Sequence, residues 1–447
     1  MRKSPIAAFA ASLVTLAVWP LASQATNGEF SHGYGVKSNA LAGAGVAYPL
    51  DTLTTAINPA TLAFVKNTGD VGVALFSPNR EYTVTGGGFP TPTSFPPFES
   101  FPPGAVESDS NYFVVPSFGW RWPISADGTL GIALYGNGGM NTDYPNGNTA
   151  FGMGTFGGAL AGEGSTGVDY AQLFVNLSYA HKIAPNVAIG ASAIINYSMF
   201  EAHGLLPFGA VGLSNNPAAL SSTGKDDDFG FGAKIGITGE VSPGVWLGAS
   251  YQTEIKNTFD DYAGLFANSG ELAIPATATI GAAIKTSPTS VLLLDAQYIW
   301  YSDADAIGNS SANIYGCPAA VAMMGGVGGD PANCLGGSNG AGFGWDDMWV
   351  LKAGYQWESG DMTYRVGVSY GDQPVQDNEV TFNILAPGVI KWHLTGGFSQ
   401  KLAGNKEWSL AAMYAPEECV NGPDLFTPGK SVEVCMWQFQ LEAGFHW

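Results

Sequence analysis

Few side chains in this sequence are spaced to do covalent chemistry. Five histidines and four cysteines stand among 447 residues. No histidine falls in a recognisable nucleophile or metal-ligand motif, and no cysteine pair has CxxC spacing. Cys317, Cys334, Cys419 and Cys435 follow an N-terminus of export type, which points to an oxidising compartment and to disulfides. Four cysteines allow three pairings. Cys317–Cys334 and Cys419–Cys435 are favoured because each pair brackets one expected loop. No catalytic residue, metal or cofactor is expected. The net charge of −20 argues against a nucleic-acid partner, because phosphate binding needs a basic surface.

The start of the chain reads as an export signal. Arg2 and Lys3 form a basic n-region, Ile6 to Leu21 is apolar, and Ser23-Gln24-Ala25 supplies small residues for cleavage after Ala25. The apolar stretch is broken by Pro20 and is shorter than the roughly 20 residues a helical span needs. No later stretch has the length and apolarity of a transmembrane helix, which excludes a helical inner-membrane protein. Charged residues are 12% while hydrophobic ones are 46%, against about a quarter charged in soluble domains. Apolar residues without long apolar runs must be spread over alternate positions. That is the pattern of a transmembrane barrel, with lipid outside and a polar lumen inside.

The elements bear this out in the sequence. Runs of about ten alternating residues recur at 69–77, 110–122, 128–137, 168–181, 186–201, 228–240, 245–257, 271–285, 290–302, 347–357, 361–371, 388–400, 406–416 and 432–447. The connectors alternate short and long, as periplasmic turns and external loops do. The fold class is therefore all-β, a fourteen-stranded antiparallel transmembrane β-barrel in the bacterial outer membrane. In the last run Trp437, Phe439, Leu441, Ala443, Phe445 and Trp447 share one face, and Gln438, Gln440, Glu442, Gly444 and His446 the other. A terminal aromatic such as Trp447 is the expected signal for the barrel-assembly machinery. Trp120, Trp122, Trp300, Trp349 and Trp357 are placed to form interfacial girdles.

Residues 26–68 do not alternate. Ser38 to Ala47 is small and Gly/Ala-rich, and Asp51 to Phe64 reads as short helical turns. Asn58-Pro59 supplies an N-cap followed by Pro at the first helical position. With only Glu29, Lys37, Asp51 and Lys66 charged, this stretch needs a buried home, and the lumen offers one. The domain reading is thus 1–25 signal, 26–68 plug and 69–447 barrel.

Gly35 to Phe64, with Gly43-Ala44-Gly45, Asp51 and Asn58-Pro59-Ala60, resembles the N-terminal hatch of the FadL family. Asp227 to Tyr251, Trp349 to Gln373 and Trp392 to Tyr414 resemble the same family, so the likeness runs through most of the chain in order. It implies passive uptake of long-chain fatty acids or aromatic hydrocarbons. Ligand is captured by external loops, bound in the lumen and released sideways into the membrane beside a kink in the third strand. The equivalents here are Phe89, Phe95, Phe98 and Phe101 in the first long loop. Phe151, Met153, Phe156 and Leu160 follow in the second, since exposed apolar patches mark binding surfaces. Gly131, Gly136 and Gly138 fall where the kink is implied.

Period-2 alternation turns Lys234, Lys352, Arg365 and Lys391 inward, with Arg121 inward near the periplasmic rim. They can hold a ligand carboxylate or pair with Glu254, Asp295 or Glu442, and pairing is the favoured reading. His393 and Ser399 share the lumen face, the wrong one for a lipid-cleaving barrel, so an enzyme is not expected. The alternatives are a general diffusion porin and an adhesin or receptor barrel, neither of which needs an apolar plug. The expected partners are a hydrophobic small molecule, outer-membrane lipid and the assembly machinery, with the protein a monomer.

Overall fold

The computed structural model describes residues 26–86, 103–145 and 165–447. Fourteen of the described strands form the wall. They are β1 (Gly69–Thr85), β2 (Phe113–Pro123), β3 (Gly128–Pro145), β4 (Ser165–Ala184), β5 (Val187–His203), β6 (Asp226–Ser242) and β7 (Val245–Gln252). The second half comprises β8 (Thr277–Ser287), β9 (Ser290–Ile299), β10 (Met348–Ser359), β11 (Met362–Gly371), β12 (Trp392–Lys401), β13 (Glu407–Pro423) and β14 (Ser431–His446). Each pairs antiparallel with its sequence neighbour, and β14 returns to β1 from Asp70↔His446 to Thr85↔Ser431. Closure leaves no free edge, the condition for a sheet to cross lipid. Among the described residues no helix is long and apolar enough to cross a membrane.

Alternation sets the two faces. In β1, Val71, Val73 and Leu75 are 46%, 48% and 43% exposed, while Ala74 and Phe76 are buried. Gln438, Gln440, Glu442 and His446 of β14 are buried toward the lumen. Trp447 finishes the seam: its N–H donates to Gly69 O at 3.1 Å and its carbonyl accepts from Gly69 N at 3.1 Å. Short turns such as residues 185–186, 243–244 and 288–289 lie at the end of the barrel where the chain enters β1.

Several strands run on beyond the sequence expectation. β1, β3 and β13 reach Thr85, Pro145 and Pro423. The expected runs 245–257, 271–285 and 388–400 need correction. The wall ladder of β7 ends at Gln252 and that of β8 starts at Thr277. Between them Ile255–Thr258 pairs with Glu271–Ile274 as a separate hairpin. Ile255, Phe259, Leu272 and Ile274 are fully buried. Their alternation is real, but its apolar face turns inward, with Ile255 against Gly230 and Gly232 of β6, rather than to lipid. Likewise β12 begins at Trp392, with Val389 and Ile390 turned into the core.

Residues 26–65 are buried or half-buried within the barrel, and Lys66 and Thr68 are exposed at its rim. Helix α1 (Val36–Asn39) is followed by 3₁₀ turns Thr52–Ala56 and Pro59–Phe64. Asp51 caps the first turn by accepting from Leu53 N at 3.0 Å, and Asn58 caps the second by accepting from Ala60 N at 3.0 Å. This inner segment is pressed against glycines of the wall. A Cβ on Gly119, Gly190, Gly236, Gly248 or Gly367 would run into Thr52, Ala60, Asn58, Val46 or Leu41 respectively. On Gly397 it would lie 2.7 Å from the Ala40 Cβ. Wall glycines therefore form a seat that lets the inner backbone approach.

Candidate functional site

Above this inner segment the described long loops, within residues 204–225, 253–276, 300–347 and 372–391, fold together over the mouth of the barrel. Phe200 of β5 packs edge-on against Phe266 at 4.7 Å and Tyr262 at 4.8 Å, and Phe208 against Phe382 at 5.9 Å. Phe200, Phe208, Phe266 and Phe382 line a cavity of about 50 Å³. Met140, Val168, Leu205, Leu265, Phe343 and Leu385 complete most of its lining, and every lining residue is apolar or glycine. Nothing there can fix a charge or pair with a hydrogen-bonding group through a side chain. The chemistry of the lining suits an apolar molecule; at about 50 Å³ the cavity is smaller than the roughly 150 Å³ of one that admits benzene, so a ring enters only as the loops part.

The wall is interrupted beside this cavity. Pairing of β3 with β4 slips between Gly136↔Leu173 and Gly138↔Gln172, leaving Asn137 as a bulge. The β2–β3 ladder stops at Ser117↔Tyr135, and the β1–β2 ladder at Phe76↔Phe113. A bulge bends its strand and ends pairing. The inner segment takes up the backbone groups released there. Ser31 N donates to Asn137 O at 2.8 Å, Gly139 N to Glu29 O at 2.9 Å, and Phe30 bridges Gly138. On the outer side, Ser108 N donates to Arg80 O at 2.9 Å and Asp109 N to Asp143 O at 2.8 Å. Between these layers lies a cavity of about 20 Å³ lined by Gly28, Phe76, Arg80, Met140, Asn141 and Met436 among others. Met140 lines both cavities. Gly131, lower on β3, instead backs onto Leu62.

Among the described residues Lys234, Lys352 and Arg365 make no direct ion pair with Glu254, Asp295 or Glu442, although Lys352 stands opposite Asp295 on neighbouring strands, so direct pairing, the favoured expectation, is not what the structure shows. Lys352 donates to His32 O at 3.2 Å and Lys234 to Ala56 O. Arg365 donates to Gln356 Oε1 at 2.7 Å and Ser399 Oγ at 2.5 Å. Asp295 accepts from Gly45 N at 2.7 Å and Val46 N at 2.9 Å, and Glu442 from Asn39 Nδ2. Glu254 lies 3.9 Å from Lys256 in a loop. The reason is the buried backbone of residues 26–68. Its peptide groups lack a regular ladder and must find partners on the wall. Thr238 and Thr395 do the same for Ala47 O at 3.0 Å and Ala40 O at 3.1 Å. Lys391 precedes β12 and is only half-buried. Arg121 donates to Asn67 O at 2.6 Å at the rim.

Several polar contacts carried no sequence signal, because only the folded chain brings their partners together. Asn58 Nδ2 donates to Val46 O at 2.7 Å and Ile237 O at 3.0 Å. His32 stacks on His393 with centroids 5.5 Å apart, and Lys37 pairs with Glu407 at 3.0 Å. Ser409, His446 and Asp70 hydrogen-bond in series. That series has the donor order of a hydrolytic triad, but Ser409 is buried against Ser399 Oγ at 2.7 Å. Cys317 is bonded to Cys334 and Cys419 to Cys435. The latter pair joins β13 to β14 directly, at Cys419↔Cys435 in the ladder. Phe89, Phe95, Phe98, Phe101, Phe151, Met153, Phe156 and Leu160 all lie outside the described residues.

A closed fourteen-stranded barrel with its lumen filled by its own N-terminal segment is an outer-membrane channel architecture. A family model described as outer membrane protein transport protein (OMPP1/FadL/TodX) matches residues 14–387. The chain belongs to that family and is an outer-membrane transport protein rather than an enzyme. Among solved structures, the Pseudomonas putida toluene transporter TodX is similar with a TM-score of 0.63 at 16% identity, over 93% of this chain and 98% of that one. A Pseudomonas aeruginosa FadL homologue gives 0.63 at 14% identity, over 93% and 99%. The Ralstonia pickettii toluene transporter TbuX gives 0.56 at 15%, over 92% and 98%. These likenesses concern the fold. A comparison with curated protein sequences gives no match.

Proposed function

We propose that this protein is a passive channel for small uncharged hydrophobic compounds, with aromatic hydrocarbons the favoured class. The observation that carries the reading is the wholly apolar lining of the cavity over the hatch, from Met140 to Leu385. A carboxylate entering it would lose hydration without gaining a partner, at a cost of several kcal/mol. A hydrocarbon loses nothing and gains contact with five phenylalanines. Two of the structurally similar proteins are described as toluene transporters.

In this reading residues 1–25 are an export signal cleaved after Ala25, and Trp447 is read by the assembly machinery. Residues 26–68 act as the hatch, and the barrel works as a monomer. The apolar residues of the first two long loops, from Phe89 to Leu160, gather ligand. It passes to the cavity and leaves past Met140 through the wall beside Gly136 and Gly138. Movement of residues 27–31 off β3 opens that exit. No energy input is needed, because the ligand moves from water toward lipid.

A second reading, fatty acid uptake, draws on a separate polar hollow. Lys234, Lys352, Gln252 and Gln297 line a space of about 20 Å³ between hatch and wall. Uptake of labelled toluene and oleate by a strain lacking the protein decides between them. Impaired toluene uptake with normal oleate uptake is expected. Impaired oleate uptake alone favours the fatty acid reading, and normal uptake of both overturns the proposal.

A further inference from the structure

We propose a divalent-cation site at Asp51, Asp70 and His446 that anchors the hatch to the seam where the barrel closes. Asp51 belongs to the hatch, Asp70 is the second residue of β1, and His446 is the last of β14. One carboxylate oxygen of each aspartate and one ring nitrogen of His446 lie within 4.8 Å of one another. Asp51 and Asp70 are each 1% exposed and His446 2%.

The protein atoms around the cluster leave one acceptor oxygen without a partner. Asp70 Oδ2 is fully used: Thr52 N donates at 2.7 Å and Asn67 Nδ2 at 2.6 Å, with Thr52 Oγ1 also in contact, while Oδ1 meets His446 Nδ1. Asp51 uses Oδ1 for Leu53 N at 3.0 Å, while its buried Oδ2 has no protein partner. A carboxylate oxygen shut away from water beside a second carboxylate calls for positive charge. Lys37, the hatch cation in this region, is committed to Glu407 at 3.0 Å.

His446 is already held as a ligand would be. Its Nε2 meets Ser409 Oγ at 2.9 Å. Its Nδ1–H donates to Asp70 Oδ1; a cation takes the place of that proton, which leaves to solvent, and Nε2–H then donates to Ser409, a hydrogen bond at the far nitrogen being the usual support of a metal-bound imidazole. Two carboxylate oxygens and one imidazole suit Zn²⁺ or a similar first-row ion better than Mg²⁺, and they leave a fourth position for water. Such an ion joins hatch, first strand and last strand at a single point.

The test uses the purified full chain in detergent, stripped with EDTA and exposed to Zn²⁺ in excess Ca²⁺, which occupies exposed acidic sites. After desalting, about one equivalent of zinc is expected in the wild type and under about a tenth in Asp51→Asn. Heat-modifiable gel mobility reports whether the variant is folded. If it is not, Co²⁺-loaded wild type decides. Visible absorption of a low-coordinate site that disappears on adding one equivalent of Zn²⁺ supports the site. Zinc retained equally by wild type and folded variant, or a wild type that takes up neither metal, overturns it.

Discussion

Phe30 of the hatch and Gly138 of β3 form an antiparallel backbone bridge at the one place where β3 has lost its β2 partner. The glycine is required there, since a Cβ on residue 138 would collide with the Glu29 carbonyl. Hatch and wall thus share hydrogen bonds at the gap instead of each completing its own.

Gly138→Val is therefore expected to push residues 27–31 off β3 while leaving the β3–β4 ladder in place. Planar-bilayer recordings should show more frequent ionic openings than wild type. Recordings that match wild type would remove the bridge from any account of gating.

Asn58→Ala removes one cap, worth about 1 kcal/mol, and two further hydrogen bonds of about 1 kcal/mol each. The hatch should loosen while the barrel persists. Expected are a raised baseline conductance and faster proteolysis within residues 26–68, with unchanged heat-modifiable mobility. Deleting residues 26–68 should give the largest conductance of the series.

Truncating Phe382 to Ala enlarges the apolar cavity beneath the loops. Thermal stabilisation by a two-ring hydrocarbon should rise relative to that by toluene, while the loop layer loses about 3–5 kcal/mol of packing. A ligand ranking identical to wild type would place binding elsewhere.

Lys352→Met frees the His32 carbonyl, costing about 1–3 kcal/mol of stability for the unpaired group. Toluene uptake should fall no more than this lower stability explains. A selective loss of oleate uptake, with toluene uptake intact, would move the carboxylate reading ahead.

Replacing both Cys317 and Cys334 by Ser opens a loop with a sequence separation of 17, a change worth about 3 kcal/mol in the chain-entropy account. Leu335, next to Cys334, lines the cavity. Hydrocarbon binding should weaken in the double variant. Affinity equal to wild type would separate the disulfide from the site.

The sequence alone determined the wall. Side chains alternate across a strand with period two, and lipid and lumen demand opposite chemistry, so Trp437, Phe439 and Leu441 against Gln438, Gln440 and Glu442 declare their faces without any fold in hand. The Asn58-Pro59 cap was legible for the same local reason. Tertiary structure decided what the lumen residues do. Lys234 and Lys352 read as inward cations, but only the packed hatch supplied the carbonyls of Ala56 and His32 that they satisfy. The sequence has 61 glycines, of which only Gly131, Gly136 and Gly138 were singled out, where the resemblance implied a kink. Folded, several of those glycines prove to be the seat of the hatch, and Gly136 and Gly138 flank the bulge. Which glycines matter depends on a backbone arriving from elsewhere in the chain, and no local pattern encodes that approach.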